Sequence, residues 1–167
     1  MASVQHKAFG TVLENCLAID RMAVGAYESL GKLTELSPIH AFCSEMRREE
    51  QDHVAGWERL LELHREFALP PLLADPEDVL HYVSRVRDNG KTIVAGLKNV
   101  PSVSAALDAC YRLAVGMLHP AFESLFEYLA VIEPERRIDY DCHLQRFMQT
   151  LRSHQEPDKG ELFAETI

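Results

Sequence analysis

The sequence predicts an all-α protein, a four-helix bundle in which two helical hairpins are joined by a long crossover connection with a short extra helix. Apolar residues recur at spacings of three and four over long stretches, which is typical of buried helix faces. The 167 residues include only 8 Gly and 8 Pro, which argues against a loop-rich β architecture. Strong turn signals fall near residues 31–38, 70–71 and 133–134. We expect a single domain over residues 1–167.

The first hairpin is predicted from two amphipathic helices, at about residues 8–33 and 38–67. Ser37 and Pro38 suit the cap and the first position of the second helix. On each helix the predicted inward face is mainly apolar. It includes Phe9, Leu13, Asp20, Tyr27 and Leu30 on the first helix, and Phe42, Met46, Glu50, His53, Trp57 and Leu60 on the second.

The second half of the chain predicts a connection followed by another hairpin. Asp75 and Pro76 open a short helix over about 76–87, and Asp88-Asn89-Gly90 is expected to break it. The stretch from there to Val100 is compatible with helix or loop. Helices are predicted at about 102–132 and 135–154, followed by a polar C-terminal tail. A connection of this length permits the chain to return along the bundle, as in a crossover topology.

Composition narrows the classes of partner and location. Lys and Arg number 17 against 26 Asp and Glu, so the net charge of −9 makes nucleic acid or an anionic membrane an unsuitable partner. There is no apolar run of 18 residues and no secretory signal at the start of this sequence. The four cysteines form no CxxC pair, so spacing excludes a zinc-ribbon site, and we expect them to be reduced in a cytoplasmic protein.

Polar residues interrupt the apolar stripes of the first hairpin at one level. Glu50 and His53 lie one helical turn apart and therefore share a face. From a turn centred near residue 36, the rise of a helix places Asp20, Glu50 and His53 about 24, 21 and 25 Å away. Carboxylate and imidazole ligands suit iron, manganese or zinc. The spacing predicts a metal site built from these three residues.

A second interpretation remains open. A Glu-x-x-His spacing arises by chance about once in a chain of this composition. The group is then a buried ionic or hydrogen-bonded cluster, and Arg47 and Arg48 lie near enough in sequence to pair with acidic groups on the second helix. The inward orientation of Glu50 and His53 and their level match with Asp20 favour the metal.

The first hairpin resembles the first half of a rubrerythrin-type, ferritin-like domain. That family places a carboxylate in its first helix, an aromatic residue seven positions later, and Glu-x-x-His about 30 residues on. Here these are Asp20, Tyr27, Glu50 and His53, with Asp20 as a shorter arm than the usual Glu. The resemblance implies a four-helix bundle with a long crossover, iron as the metal, and oxidoreductase chemistry such as peroxide reduction or iron oxidation.

The second half departs from the family pattern. A complete di-iron site takes a Glu from each of two helices and a Glu-x-x-His from each of the other two. Aligning the repeated Glu-Ser-Leu places Ala114 or Val115, Gln145 and Met148 at the expected ligand positions. His119 and His143 are weaker candidate ligands. Asp78 and His81 repeat the spacing at the start of a helix, where Asp is expected as a cap, and His6, His40, His64 and His154 show no constellation.

These patterns predict a metal-binding protein with half of a ferritin-like site. Asp20, Glu50 and His53 would be ligands, and Tyr27 and Trp57 would pack around them. A mononuclear site, or one completed in a homodimer, fits better than a di-iron cycle within one chain. The alternative is a catalytically inactive scaffold that works as a binding or oligomerisation module. A small-molecule pocket opened where the second metal was lost is a third possibility.

Overall fold

A computed structural model describes residues 2–33, 37–66, 69–97, 102–136, 138, 144–145 and 147–149. Within these ranges the chain is helical and contains no strand, which confirms the all-α prediction. No described helix is long and apolar enough to span a membrane. The elements are α1 (Ala2–Leu33), α2 (Ser37–Arg65), α3 (Pro76–Leu97), α4 (Val103–Gly116), α5 (Pro120–Ile132) and a 3-10 turn (Pro134–Arg136).

Helix α1 is the central element of the described packing. It contacts α2 most extensively, α3 along a second side, and α4 over a shorter length. Helix α5 contacts α2, and α3 contacts α4. The first predicted hairpin is therefore present as α1 and α2, although α1 begins at Ala2 rather than near residue 8. Helix α2 ends at Arg65, and residue 67, the predicted end, lies outside the described residues.

The prediction of a short crossover helix ending near residue 87 was wrong. Helix α3 runs for 22 residues, from Pro76 to Leu97, and passes through Asp88-Asn89-Gly90 without a break. Gly90 is buried, and a Cβ atom there would lie 3.0 Å from Met22 and 3.4 Å from Leu113. This glycine therefore lets α3 approach its neighbours closely, and it does not mark a turn. Asp88 meanwhile accepts a hydrogen bond from Lys91 on the exposed face.

The single helix predicted over 102–132 was also wrong, because it is divided at Met117–His119. Pro120 cannot donate a backbone hydrogen bond, and its ring is incompatible with a helix interior, but it suits the first position of α5. His119 is the N-cap of α5, and its Nδ1 accepts a hydrogen bond from the Ala121 N–H at 3.1 Å. The backbone N–H of Met117 closes α4 by donating to the Ala114 carbonyl.

The last predicted helix, at 135–154, is only partly covered by the described residues. Its start forms the 3-10 turn Pro134–Arg136, and residues 144–145 and 147–149 are helical. The predicted polar tail lies outside the described residues. The single domain over 1–167 stays a prediction.

The described core divides into two hydrophobic clusters. The first cluster surrounds Trp57 and includes Cys16, Ile19, Leu60, Phe122 and Phe126. The second cluster surrounds Tyr27 and includes Ala23, Phe42, Met46, Cys110 and Phe147. Along α1 the change from one cluster to the other occurs between Ile19 and Ala23, and along α2 between Met46 and Trp57. Asp20, Glu50 and His53 lie at these crossing points, so a polar layer separates the two clusters.

Candidate metal centre

Asp20 on α1 and Glu50 and His53 on α2 come together at the α1–α2 interface. Their side chains are almost fully enclosed, with 1%, 3% and 1% of each residue exposed. One ligand atom from each residue lies within 4.8 Å of the other two, close enough to hold a metal ion. Among the described residues, no other group of three His, Cys, Asp or Glu side chains lies close enough together to hold a metal ion. The convergence predicted from the helical rise is therefore confirmed.

Of the two distances from His53 to the carboxylates, one matches the spacing of ligands around a small ion and the other is longer. His53 Nδ1 lies 3.3 Å from Glu50 Oε2 and 3.9 Å from Asp20 Oδ2. With bonds of about 2.1 Å, neighbouring ligands of a tetrahedral or octahedral ion are about 3.0–3.4 Å apart. The Nδ1–Oε2 distance already falls in this range, and the Nδ1–Oδ2 distance would have to shorten by about 0.5 Å. The imidazole presents Nδ1, and not Nε2, to both carboxylates.

Trp57 fixes the Asp20 carboxylate in place. The indole Nε1–H donates a hydrogen bond to Asp20 Oδ2 at 2.6 Å, and Trp57 is fully buried. An indole can only donate, and a bond from a neutral donor to a carboxylate is shorter and stronger than one between neutral groups. Trp57 therefore has a polar role beyond the packing role expected from the sequence.

Glu49 faces the other side of the imidazole. Its Oε1 lies 4.0 Å from His53 Nε2, which exceeds a hydrogen-bond distance but sets a carboxylate opposite the nitrogen that points away from the site. A metal-bound histidine commonly directs its second nitrogen to a carboxylate, which fixes the tautomer and raises the basicity of the ligand. Glu49 was not among the site residues predicted from sequence. Its position four residues before His53, on the same helix face, could have indicated this contact.

Aromatic side chains close the group on the side of α5. The ring of Phe126 lies 5.9 Å from that of His53 and 4.4 Å from that of Trp57, measured between ring centroids. A Cβ atom on Gly56 would collide with Phe126, so this glycine permits the close approach of α5. The apolar cover lowers the local dielectric and so strengthens every electrostatic interaction within the group.

Neutral polar groups surround the candidate centre. Burial raises the pKa of the Tyr27 hydroxyl well above its usual value, and Cys110, Glu50, Glu49 and Cys43 raise it further. The hydroxyl has no hydrogen-bond partner among the described residues. Burial likewise raises the pKa of the Cys16 thiol, with Asp20 as the second cause. Tyr27 and Cys16 are therefore protonated at neutral pH.

Of the remaining predicted site residues, none that the structure describes joins the group. His119 is the N-cap of α5, and its ring packs against Tyr82 with centroids 4.7 Å apart. His143 lies outside the described residues. Ala114 is buried in the second cluster and Val115 is 37% exposed. Gln145 is exposed and Met148 packs against the second cluster.

Comparisons of this chain with family models, with curated proteins and with solved structures found no match. The class that the described residues define is an all-helical protein with a buried carboxylate and histidine group able to hold a metal ion. The rubrerythrin-type resemblance stays a prediction from the residues of the first hairpin.

Proposed function

We propose that this chain is a metal-binding helical protein that holds one first-row transition ion, with iron the preferred candidate, through Asp20, Glu50 and His53. The observation that carries the proposal is the enclosure of two carboxylates and one imidazole whose ligand atoms lie within 4.8 Å of one another. A divalent cation balances two ionised carboxylates and leaves the imidazole neutral. The bound site would then have no net charge, which is the favourable state in a low-dielectric core.

The donor set supports a choice among metals. Two oxygens and one nitrogen favour iron, manganese or zinc over copper(I), which prefers thiolate and thioether ligands, and over calcium, which prefers oxygen alone. Iron is favoured among these by the ferritin-like resemblance of Asp20, Tyr27, Glu50 and His53. Bound iron would supply the redox chemistry of peroxide reduction or iron oxidation that this resemblance implies.

The protein residues have distinct roles in this proposal. Glu50 and His53 bind from successive turns of α2, and Asp20 binds from α1, so the ion would tie the two helices together. Trp57 orients Asp20, and Glu49 favours the tautomer in which His53 Nδ1 binds the ion. The near-complete burial of the three residues leaves little room for a protein ligand from a second chain. We therefore favour a mononuclear site over one completed in a homodimer.

The second candidate function is a metal-free scaffold that acts as a binding or oligomerisation module. The hydrogen bond from Trp57 to Asp20 and the short approach of His53 to Glu50 favour it, because both contacts stabilise the group without an ion. In this case the hydrogen bond between His53 Nδ1 and Glu50 Oε2, at 3.3 Å, holds the group together. The two candidates predict different metal contents and are therefore easily separated.

The decisive measurement is metal per chain, by mass spectrometry, in protein purified anaerobically without a histidine tag. We expect about one ion per chain in the wild type after iron loading, and its loss in the isosteric variants Asp20→Asn and Glu50→Gln. Asp52→Asn and His40→Gln are matched controls, because both residues are exposed on the same helix as Glu50. These controls should retain the ion.

Each outcome distinguishes the candidates. Metal content in the wild type that is no higher than in Asp20→Asn would overturn the metal proposal and leave the scaffold. Two ions per chain would overturn the mononuclear site and require further ligands. Binding should also stabilise the fold, by about 2.7 kcal/mol at a free ion concentration one hundred times the dissociation constant.

A further inference from the structure

A pair of histidines meets at the opposite end of α1 from the α1–α2 turn. His6 on α1 and His64 in the last turn of α2 stack with ring centroids 3.9 Å apart and planes inclined by 22°. Phe9 contacts the His64 ring edge-on, at 5.3 Å. Gly10 makes this arrangement possible, because a Cβ atom there would lie 2.7 Å from His64 Nε2. The imidazole of His64 thus lies directly on the α1 backbone.

The two histidines line a partly enclosed pocket of about 250 Å³. Apart from Gln5, its other walls are apolar and come from Phe9 and from the segment between α2 and α3, including Leu69, Pro70, Leu72 and Leu73. The described lining residues include no Asp or Glu, although the chain carries 26 of them and a net charge of −9. A cavity of about 150 Å³ holds benzene, so this pocket has room for an aromatic ring with a short polar arm.

We propose that this pocket is a binding site for a small apolar carboxylic acid, with the apolar part against Phe9 and the leucines and the carboxylate at the His6–His64 pair. The proposal is independent of the metal centre, since Gly10 and Asp20 are about 15 Å apart along α1. The proposal rests on the size of the pocket, on its mainly apolar wall and on the two imidazoles that line it, with no Asp or Glu among the described lining residues.

Ligand binding at His64 should be coupled to the uptake of a proton. Burial lowers the pKa of His64, the neighbouring His6 and Arg65 lower it further, and Glu14 on α1 opposes them. No charged residue is among the described lining residues of the segment before α3. In the free protein His64 is therefore mostly neutral at pH 7. A bound carboxylate would favour the imidazolium, as would the C-terminal end of α2, so binding should take up a proton.

Isothermal titration calorimetry with phenylacetate tests the proposal. This probe has an aromatic ring, a short arm and a carboxylate that is ionised throughout the range from pH 6 to 8. We expect a dissociation constant on the order of 0.1 mM at pH 6, which is typical of a ligand with ten heavy atoms. The affinity should fall by up to tenfold per pH unit as the pH rises. Enthalpies measured in phosphate and in Tris should differ, because the buffer supplies the proton.

Variants and a neutral analogue make the test specific. Phenylacetamide has nearly the same shape without the charge and should bind at least tenfold more weakly than phenylacetate at pH 6. His64→Gln and His6→Gln should each weaken phenylacetate binding by about tenfold, while His40→Gln, which alters an exposed histidine elsewhere on α2, should not. The half-exposed His6 keeps the test valid if His64→Gln fails to fold.

Three results would overturn the proposal. The first is no heat of binding for phenylacetate at millimolar concentration, and the second is equal affinity for phenylacetamide. The third is an unchanged affinity in His6→Gln. Proton nuclear magnetic resonance of the imidazole Cε1–H should, in the supporting case, show the pKa of His64 rising when the probe saturates the pocket. Iron content in His6→Gln should equal that of the wild type, so failure of one site is separable from failure of the other.

Discussion

Replacing Trp57 with Phe tests the polar support of the candidate metal centre. The change retains an aromatic ring against Phe126 but removes the N–H that donates to Asp20 at 2.6 Å. Trp57 and Asp20 are each at most 1% exposed, so water cannot replace the lost donor. A hydrogen bond to a charged acceptor contributes about 1.5–3 kcal/mol, and the smaller ring removes about 1 kcal/mol of packing. We expect the free energy of unfolding of the metal-free protein to fall by about 2.5–4 kcal/mol.

The same substitution should weaken metal binding. Groups that hold a ligand side chain in place typically change metal affinity by about tenfold to one hundredfold when removed. Without the indole, Asp20 loses the hydrogen bond that orients its carboxylate toward Glu50 and His53. The matched control is Phe122→Leu, because Phe122 is fully buried against the ring of Trp57 but is not one of the three candidate ligands. That control should cost about 1 kcal/mol of stability and leave the affinity unchanged within about twofold.

Two measurements check this reasoning. Urea unfolding in the presence of a chelator gives the stability of the metal-free protein, followed by circular dichroism because Trp57 is the one tryptophan in the chain. Competition with a chelating dye gives the affinity for manganese or zinc under reducing conditions. The reasoning is refuted if Trp57→Phe and Phe122→Leu bind the metal equally well. Asp20 would then either bind without help from the indole or not be a ligand.

Two further predictions concern packing. Gly10→Ala should lower the free energy of unfolding by up to about 2 kcal/mol, because the new methyl group meets His64 at 2.7 Å and the overpacking exceeds the gain in helix propensity. Gly25→Ala, on the same helix with nothing within 4 Å, should raise it by up to about 1 kcal/mol, and urea titrations giving both changes the same sign would contradict this. Burial raises the pKa of Cys43 to about 12, so iodoacetamide at pH 8 should leave the three buried cysteines unmodified until urea is added. If peptide mapping finds any of these three cysteines labelled in the native protein, the cysteine is not buried as the structure describes.

The fold was predictable from sequence where periodicity alone decides the structure. The long stripes of the first hairpin specify α1 and α2 because each buries one continuous face. The errors arose where a single residue decides the outcome. Gly90 is a residue type common in turns, but here it permits a close contact between helices. Pro120 starts a new helix, although the apolar stripe continues on both sides of it. The apolar spacing continues through both positions. The pattern therefore does not show that the helix continues at Gly90 and is divided before Pro120.

The candidate site was predictable to the extent that it depends on helical rise. Asp20, Glu50 and His53 occupy apolar positions at one level, which two straight helices bring together without further information. The side chains around them depend on α5, whose start was missed, so the cover from Phe126 was not foreseen. The His6–His64 pair was missed for a similar reason. A helix assumed to begin near residue 8 excludes His6, whereas the helix that begins at Ala2 places it one turn from Gly10.

The polar layer of Asp20, Glu50 and His53 lies between two hydrophobic clusters, where apolar residues would be expected. Replacing a buried ion pair by apolar residues of similar volume is often neutral or stabilising, whereas removing one member alone costs about 3–5 kcal/mol. Leucine or methionine at these three positions would join the first and second clusters into one continuous core. Stability alone therefore gives no reason to bury Asp20, Glu50 and His53 there. An ion that links α1 to α2 does give one, because its binding free energy is added to that of folding.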